Sequence, residues 1–108
     1  MNDVLIMLAS YNGEKYIREQ IESICRQTYS DWHLLIQDDG SSDGTIDIVT
    51  EYCNKDERVE LIVNTEKVHG AYINFHVLVN KARAMQPYKY YMFCCLYIIF
   101  FYNIMEIY

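Results

Sequence analysis

The chain has 108 residues, 52% of them hydrophobic, and carries 15 acidic against 9 basic side chains for a formal net charge of -6. That length fits one small domain or part of a larger one, and the apolar content allows a packed core, which argues against disorder. The acidic balance argues against a nucleic-acid partner, which more often needs a basic surface.

Val4–Leu8 is a continuous apolar run, the pattern of a strand buried on both faces in a parallel sheet. It is too short for a secretory signal, and Asp3 precedes it where such a signal would carry positive charge, so a cytoplasmic start is expected. Ser10-Tyr11-Asn12-Gly13 breaks the run, with Asn12 placed to cap a helix over Glu14–Gln27. Ile17, Ile21 and Ile24 form one apolar stripe along it.

His33–Gln37 reads as a second strand, ending in the polar turn Asp38–Gly44. A helix over about Thr45–Asn54 follows, with Ile46, Val49 and Cys53 on one side and Asp43 as its cap. Val59–Val63 is a third strand, Gly70 opens a third helix with Ile73, Val77 and Leu78 facing inward, and Tyr90–Phe93 begins a fourth strand. The order β-α-β-α-β-α-β implies an α/β fold with a mainly parallel sheet, right-handed crossovers and helices on both faces.

The segment from Cys94 differs. Between Tyr90 and Met105 there is no charged residue, and the run shows neither strand alternation nor a helical stripe. It is shorter than the about 20 residues that a membrane-spanning helix needs, so membrane association through a clear transmembrane helix is not expected. Cys25, Cys53, Cys94 and Cys95 form no CxxC pair and have no histidine at zinc-ligand spacing, so they read as free buried thiols. His33, His69 and His76 share no spacing and read as surface residues.

Ligands of open α/β sheets bind beyond the carboxyl ends of the strands, where the strand order reverses. The loop Ala9–Gly13 brings Tyr11, a face for a flat base or a side chain packed at the sheet edge. Asp38 and Asp39 are adjacent at a strand end and so point in different directions, one toward a ligand and the other toward the turn. A carboxylate there can accept the ring N–H of uracil or thymine. Lys67 and His69 precede the third helix, within reach of a diphosphate or simply as loop polarity. A rival reading is a calcium loop, since Asp39, Ser41, Asp43, Gly44, Thr45 and Asp47 have EF-hand spacing; Thr50 stands where a bidentate Glu belongs, and a strand precedes Asp39 where a helix is required.

Ala9–Gly13 followed by Tyr16-Ile17, then Gln27-Thr28-Tyr29 before Trp32, then Gln37–Thr45, resembles family 2 glycosyltransferases of the GT-A type, as does the placement of Asn64, Gly70 and Asn74-Phe75. The likeness covers about residues 3–93 and is strongest to rhamnosyltransferase-type enzymes of cell-surface polysaccharide assembly. It implies the nucleotide-sugar half of a GT-A, Rossmann-like fold over residues 1–93 and a UDP- or dTDP-linked sugar as donor. It implies that Ala9, Ser10 and Tyr11 line the base pocket and that Asp38 or Asp39 binds the base. It also implies inverting transfer to a saccharide acceptor at the cytoplasmic face of the membrane, with a divalent metal (Mg or Mn) on the leaving diphosphate.

The sequence departs from the family after the fourth strand. Where an Asp-x-Asp motif is expected, Phe93 is followed by Cys94-Cys95-Leu96-Tyr97-Ile98, with no carboxylate before Glu106. The expectation is therefore an incomplete, inactive unit, with residues 94–108 an aberrant tail from out-of-frame translation or another truncation. A non-catalytic nucleotide-binding module is the alternative.

Overall fold

The computed structural model describes residues 3–65, 67–85 and 87–94, and the backbone of 101–106. Seven elements follow in the expected alternation: β1 (Val4–Ser10), α1 (Glu14–Cys25), β2 (Trp32–Asp38), α2 (Thr45–Lys55), β3 (Val59–Val63), α3 (Ala71–Ala84) and β4 (Tyr90–Cys94). An additional strand, β5 (Phe101–Glu106), pairs antiparallel with β4, while β1 pairs parallel with β2 and β4, and β2 with β3. The sheet order is β3-β2-β1-β4-β5.

The apolar run of β1 accounts for the two-sided core. Leu5, Ile6, Met7 and Leu8 are all buried, and alternate residues point to opposite faces. Ile6 and Leu8 pack with Ile17, Ile21 and Ile24 of α1 and with Val49 and Tyr52 of α2. Leu5 and Met7 pack on the other face with Leu78 and Ala82 of α3. Helices therefore cover both faces, as the alternation requires. Each fully buried isoleucine of the α1 stripe stabilises the fold by about 1.5–3 kcal/mol.

Several local expectations are corrected. Asn12 does not cap α1: it has φ 48°, the N-cap is Gly13, and the Asn12 side chain turns to the second loop. The helix stops at Cys25 rather than Gln27, because the Gln27 N–H reaches back only to Ile24 O and tightens the last turn. The inner face of α2 is Thr45, Val49 and Tyr52, with Ile46 only half-buried. Thr45 Oγ1 accepts Gly13 N–H at 2.9 Å and donates to Asp43, and these bonds set the rotation of the helix. In α3 the deepest residues are Asn74, Leu78 and Ala82, spaced four apart, while Ile73 and Val77 are half-buried. Cys25 and Cys53 are half-buried and Cys94 is buried, and none of the three is in a disulfide; Cys95 lies outside the described residues. Most of the expected tail also lies outside them, but the strand over Phe101–Glu106 gives that segment a regular backbone its uniform composition did not suggest.

Candidate functional site

The first two crossovers carry the sheet outward from β1 to β3, and the third returns to place β4 on the other side of β1. The order thus reverses at β1, and the loops beyond the carboxyl ends of its neighbours form the ligand edge of such a sheet. The loops after β1 and β2 meet there as expected, and a third segment, Asn64–Gly70 after β3, joins them.

Asp38 belongs to the turn. Its carboxylate is fully buried; Oδ1 accepts Ser10 Oγ–H and Ser41 Oγ–H, both at 2.7 Å, and Oδ2 accepts the N–H of Gly40 at 3.0 Å and of Ser41 at 2.7 Å. A carboxylate offers about four lone-pair directions, and here all four are filled. Gly40 has φ +82°, the left-handed conformation that turns the backbone back toward this carboxylate.

Asp39 points elsewhere, as adjacency at a strand end predicts. Its Oδ1 accepts Asn64 Nδ2–H at 2.8 Å and meets His69 Nδ1 at 3.0 Å, and its Oδ2 accepts Gly70 N–H at 2.8 Å. One lone pair of Oδ2 receives no donor among the described residues. Burial is the largest effect on Asp39 and pushes its pKa up, but the bonds from Asn64, Gly70 and His69 together outweigh it and hold the carboxyl below its ordinary value. Asn64 and His69, missed as partners of Asp39 in the sequence, come from the segment after β3. The one signal for them is a histidine followed by a glycine at a helix start.

The first loop is tied to the second by a dense set of bonds. Asp39 N–H donates to Ser10 O at 2.9 Å, Asn12 N–H to Ser41 Oγ at 2.8 Å, and Ser42 N–H to Asn12 Oδ1 at 2.8 Å. Ser10 is buried and serves Asp38, whereas Ala9 is half-buried against the α3 face of the core. Tyr11 is 53% exposed, so its ring is available to a ligand rather than packed at the edge. From α3, Asn74 donates both to Ser10 O at 3.3 Å and to Gln37 O at 3.0 Å, clamping the ends of β1 and β2.

The calcium-loop reading loses its geometry. The Asp39 carboxylate faces Asn64–Gly70, while the Asp43 carboxylate accepts N–H groups from Glu14 at 3.2 Å and Thr45 at 3.0 Å. The two acids serve different partners instead of converging. His76 is exposed and stacks on Tyr72, as a surface role requires, whereas His33 is half-buried and bonds Glu60 at 2.9 Å, and His69 is attached to Asp39.

A family model described as glycosyl transferase family 2 matches residues 5–95, most of the chain. The chain belongs to this family. It is 44% identical over 73 residues to the Escherichia coli UDP-Glc:alpha-D-GlcNAc-diphosphoundecaprenol beta-1,3-glucosyltransferase WfgD, a match covering 66% of this chain and 28% of that protein. It is 36% identical over 73 residues to the Shigella flexneri dTDP-rhamnosyl transferase RfbG, covering 67% of this chain and 25% of the relative. Among solved structures, the mannosyltransferase PcManGT from Pyrobaculum calidifontis, in complex with GDP-Man and Mn2+, superposes with a TM-score of 0.69 at 20% identity. That likeness covers 87% of this chain and 27% of the other and establishes the GT-A fold. The chain spans about a quarter of the length of the curated relatives it matches.

Among the described residues, the donor set at this edge of the family 2 chain does not fit a divalent metal. Magnesium and manganese take hard oxygen ligands, chiefly carboxylates. β4 ends in Phe93-Cys94, and no Asp or Glu stands between Glu66 and Glu106. Cys94 Sγ is buried and accepts Gln20 Nε2–H at 2.9 Å, and the oxygens of Asp38 are saturated. Among the described residues no group of three or more His, Cys, Asp or Glu side chains is placed to hold a metal ion.

Proposed function

We propose that this family 2 chain binds the nucleotide of a nucleoside-diphosphate sugar at the edge formed by the loops after β1, β2 and β3. The observation that carries this reading is the backbone bond from Asp39 N–H to Ser10 O at 2.9 Å, which fixes the acid beside the residue preceding exposed Tyr11. Tyr11 stacks on the base, a contact worth roughly 1–3 kcal/mol. Asp39, with one acceptor direction open, takes the ring N–H of a uracil or thymine. Asp38 and Ser10 hold the turn that presents it. This choice between the two aspartates rests on their lone-pair count. The pyrimidine preference agrees with the UDP- and dTDP-linked donors in the names of the two relatives.

The transfer reaction proposed for the complete family architecture is inverting attack by a saccharide hydroxyl, in cell-surface polysaccharide synthesis at the cytoplasmic face of the membrane. The lipid-linked saccharide in the name of WfgD supports that setting, and among the described residues no helix is long and apolar enough to cross a membrane. As this sequence stands, we propose that it binds without transferring. The carboxylate-free stretch after Glu66 offers neither an anchor for a metal on the leaving diphosphate nor a base for the acceptor.

Calorimetric titration with UDP, dTDP and GDP tests the binding claim. The expected result is saturable binding of the two pyrimidine nucleotides that weakens at least tenfold in Tyr11→Ala and in Asp39→Asn. Equal affinity for GDP, or variants that bind as the parent does, would refute it. A coupled assay for sugar release from UDP-glucose tests the second claim, and turnover by the isolated chain would overturn it.

A further inference from the structure

We infer that His69 is a positioning residue for base recognition, holding the Asp39 carboxylate in the rotamer that leaves one Oδ2 lone pair open. This rests on the nucleotide-binding reading above and assigns a role to a residue in the segment after β3.

The geometry assigns the proton on the ring. His69 Nδ1 lies 3.0 Å from Asp39 Oδ1 and 3.1 Å from Asp39 O. Both are acceptors, so Nδ1 must carry hydrogen and donate to the pair. The approach of Asn64 Nδ2 to the same nitrogen at 3.4 Å is then a contact between two donors rather than a bond. Asn64 instead donates to Asp39 Oδ1 at 2.8 Å and to Val68 O at 3.1 Å.

The three donors to Asp39 divide the work. Asn64 and His69 load Oδ1, and Gly70 N–H loads one side of Oδ2. These three donors fix the plane of the carboxylate, and because its two oxygens are equivalent by a half-turn, the open lone pair keeps one position in space. Asn64 and Asp39 are buried, whereas the His69 side chain is 44% exposed. The imidazole lies over Gly40, where an added Cβ would be 3.6 Å from Cε1. His69 therefore spans from the turn of the second loop to solvent and gains its rigidity from bonding both the backbone and the side chain of one residue.

The test compares His69→Ala and His69→Asn with the parent chain. An asparagine amide can place a donor close to the position of Nδ1, so it serves as the rescuing variant. Calorimetry with UDP and GDP reads affinity and discrimination, and long-range proton–nitrogen NMR spectra of the parent read the ring tautomer without any ligand. The expected results are an Nδ1–H tautomer, an about tenfold loss of UDP affinity in His69→Ala with GDP unchanged, and recovery to within about threefold in His69→Asn. An Nε2–H tautomer, or a His69→Ala chain that keeps its preference for UDP over GDP, overturns the assignment. A parent chain that binds no nucleotide overturns the underlying reading as well, while a binding parent with an indifferent His69→Ala overturns the positioning role alone.

Discussion

Glu14 and Asp43 close each other's helices. The N–H of Glu14, first residue of α1, donates to Asp43 Oδ2 at 3.2 Å, and Glu14 Oε1 accepts the N–H of Gly44 at 3.0 Å, just before α2. Asp43 Oδ1 also accepts Thr45 N–H at 3.0 Å, so one carboxylate caps the starts of two helices on the same face of the sheet. Such a group costs about 0.5–2 kcal/mol per helix when removed. Asp43→Ala is expected to destabilise the chain by about 1–3 kcal/mol in urea denaturation. A change under 0.5 kcal/mol would show that water replaces both caps.

Gly44 is constrained from the same side. A Cβ there would overlap Glu14 Oε1, whose displacement breaks the bond to Gly44 N–H. Gly44→Ala should therefore cost about 1 kcal/mol by the loss of one cap. The same substitution in a Glu14→Ala background should cost less, and a double-mutant cycle of urea midpoints checks the coupling.

The Asp38 carboxylate is enclosed by four donors, two of them backbone N–H groups. Asp38→Ala would leave buried donors unpaired at about 1–3 kcal/mol each. We expect a loss of at least 3 kcal/mol, seen as a large drop in thermal midpoint or a chain that fails to fold. Asp39→Asn keeps an acceptor for Asn64 or Gly70 and should fold, which makes it the usable probe of ligand contact.

The sign of the pH effect follows from the lowered carboxyls. Asp39 is lowered although burial opposes it, and Asp43 is lowered first by its bond from Thr45. A carboxyl with a depressed folded pKa contributes stability above its unfolded value, about 3.9, and that contribution fades as pH falls through the folded value. The parent should thus lose stability below about pH 4. Asp39→Asn should show a smaller difference in urea midpoint between neutral and acid pH. Parallel acid limbs for the two chains would contradict this.

Gly70 has φ 134° and ψ 154°, a region open essentially to glycine alone, and in this conformation its N–H meets Asp39. Although a Cβ at Gly70 would meet no atom, Gly70→Ala carries about 1–3 kcal/mol of backbone strain. It should lower both the thermal midpoint and UDP affinity, and a variant that melts and binds as the parent does would show that the loop relaxes freely.

Much of the scaffold was legible because buried parallel strands write themselves as apolar runs and amphipathic helices as stripes. Val4–Leu8 and the Ile17, Ile21, Ile24 stripe are local signals that tertiary packing reinforces. The motif residues at the first two loops were legible through family likeness, although the likeness left Asp38 and Asp39 undivided. Three features were not readable for the same reason, that each depends on a partner distant in sequence. Asn12 was read as a cap because its side chain suits one, yet it bonds Ser42 across the loops. The rotation of α2 is set by Gly13, far upstream of Thr45. His69 reaches back to Asp39, and no short-range pattern marks such a pairing.

Among the described residues, every donor to the Asp39 side chain comes from one short crossover between β3 and α3, from Asn64, His69 and Gly70. That stretch lies apart from the two hydrophobic clusters and from the Glu14–Asp43 junction. The position of the open acceptor and a share of the local stability are accordingly written in the same few neighbouring codons, so a change there moves both together.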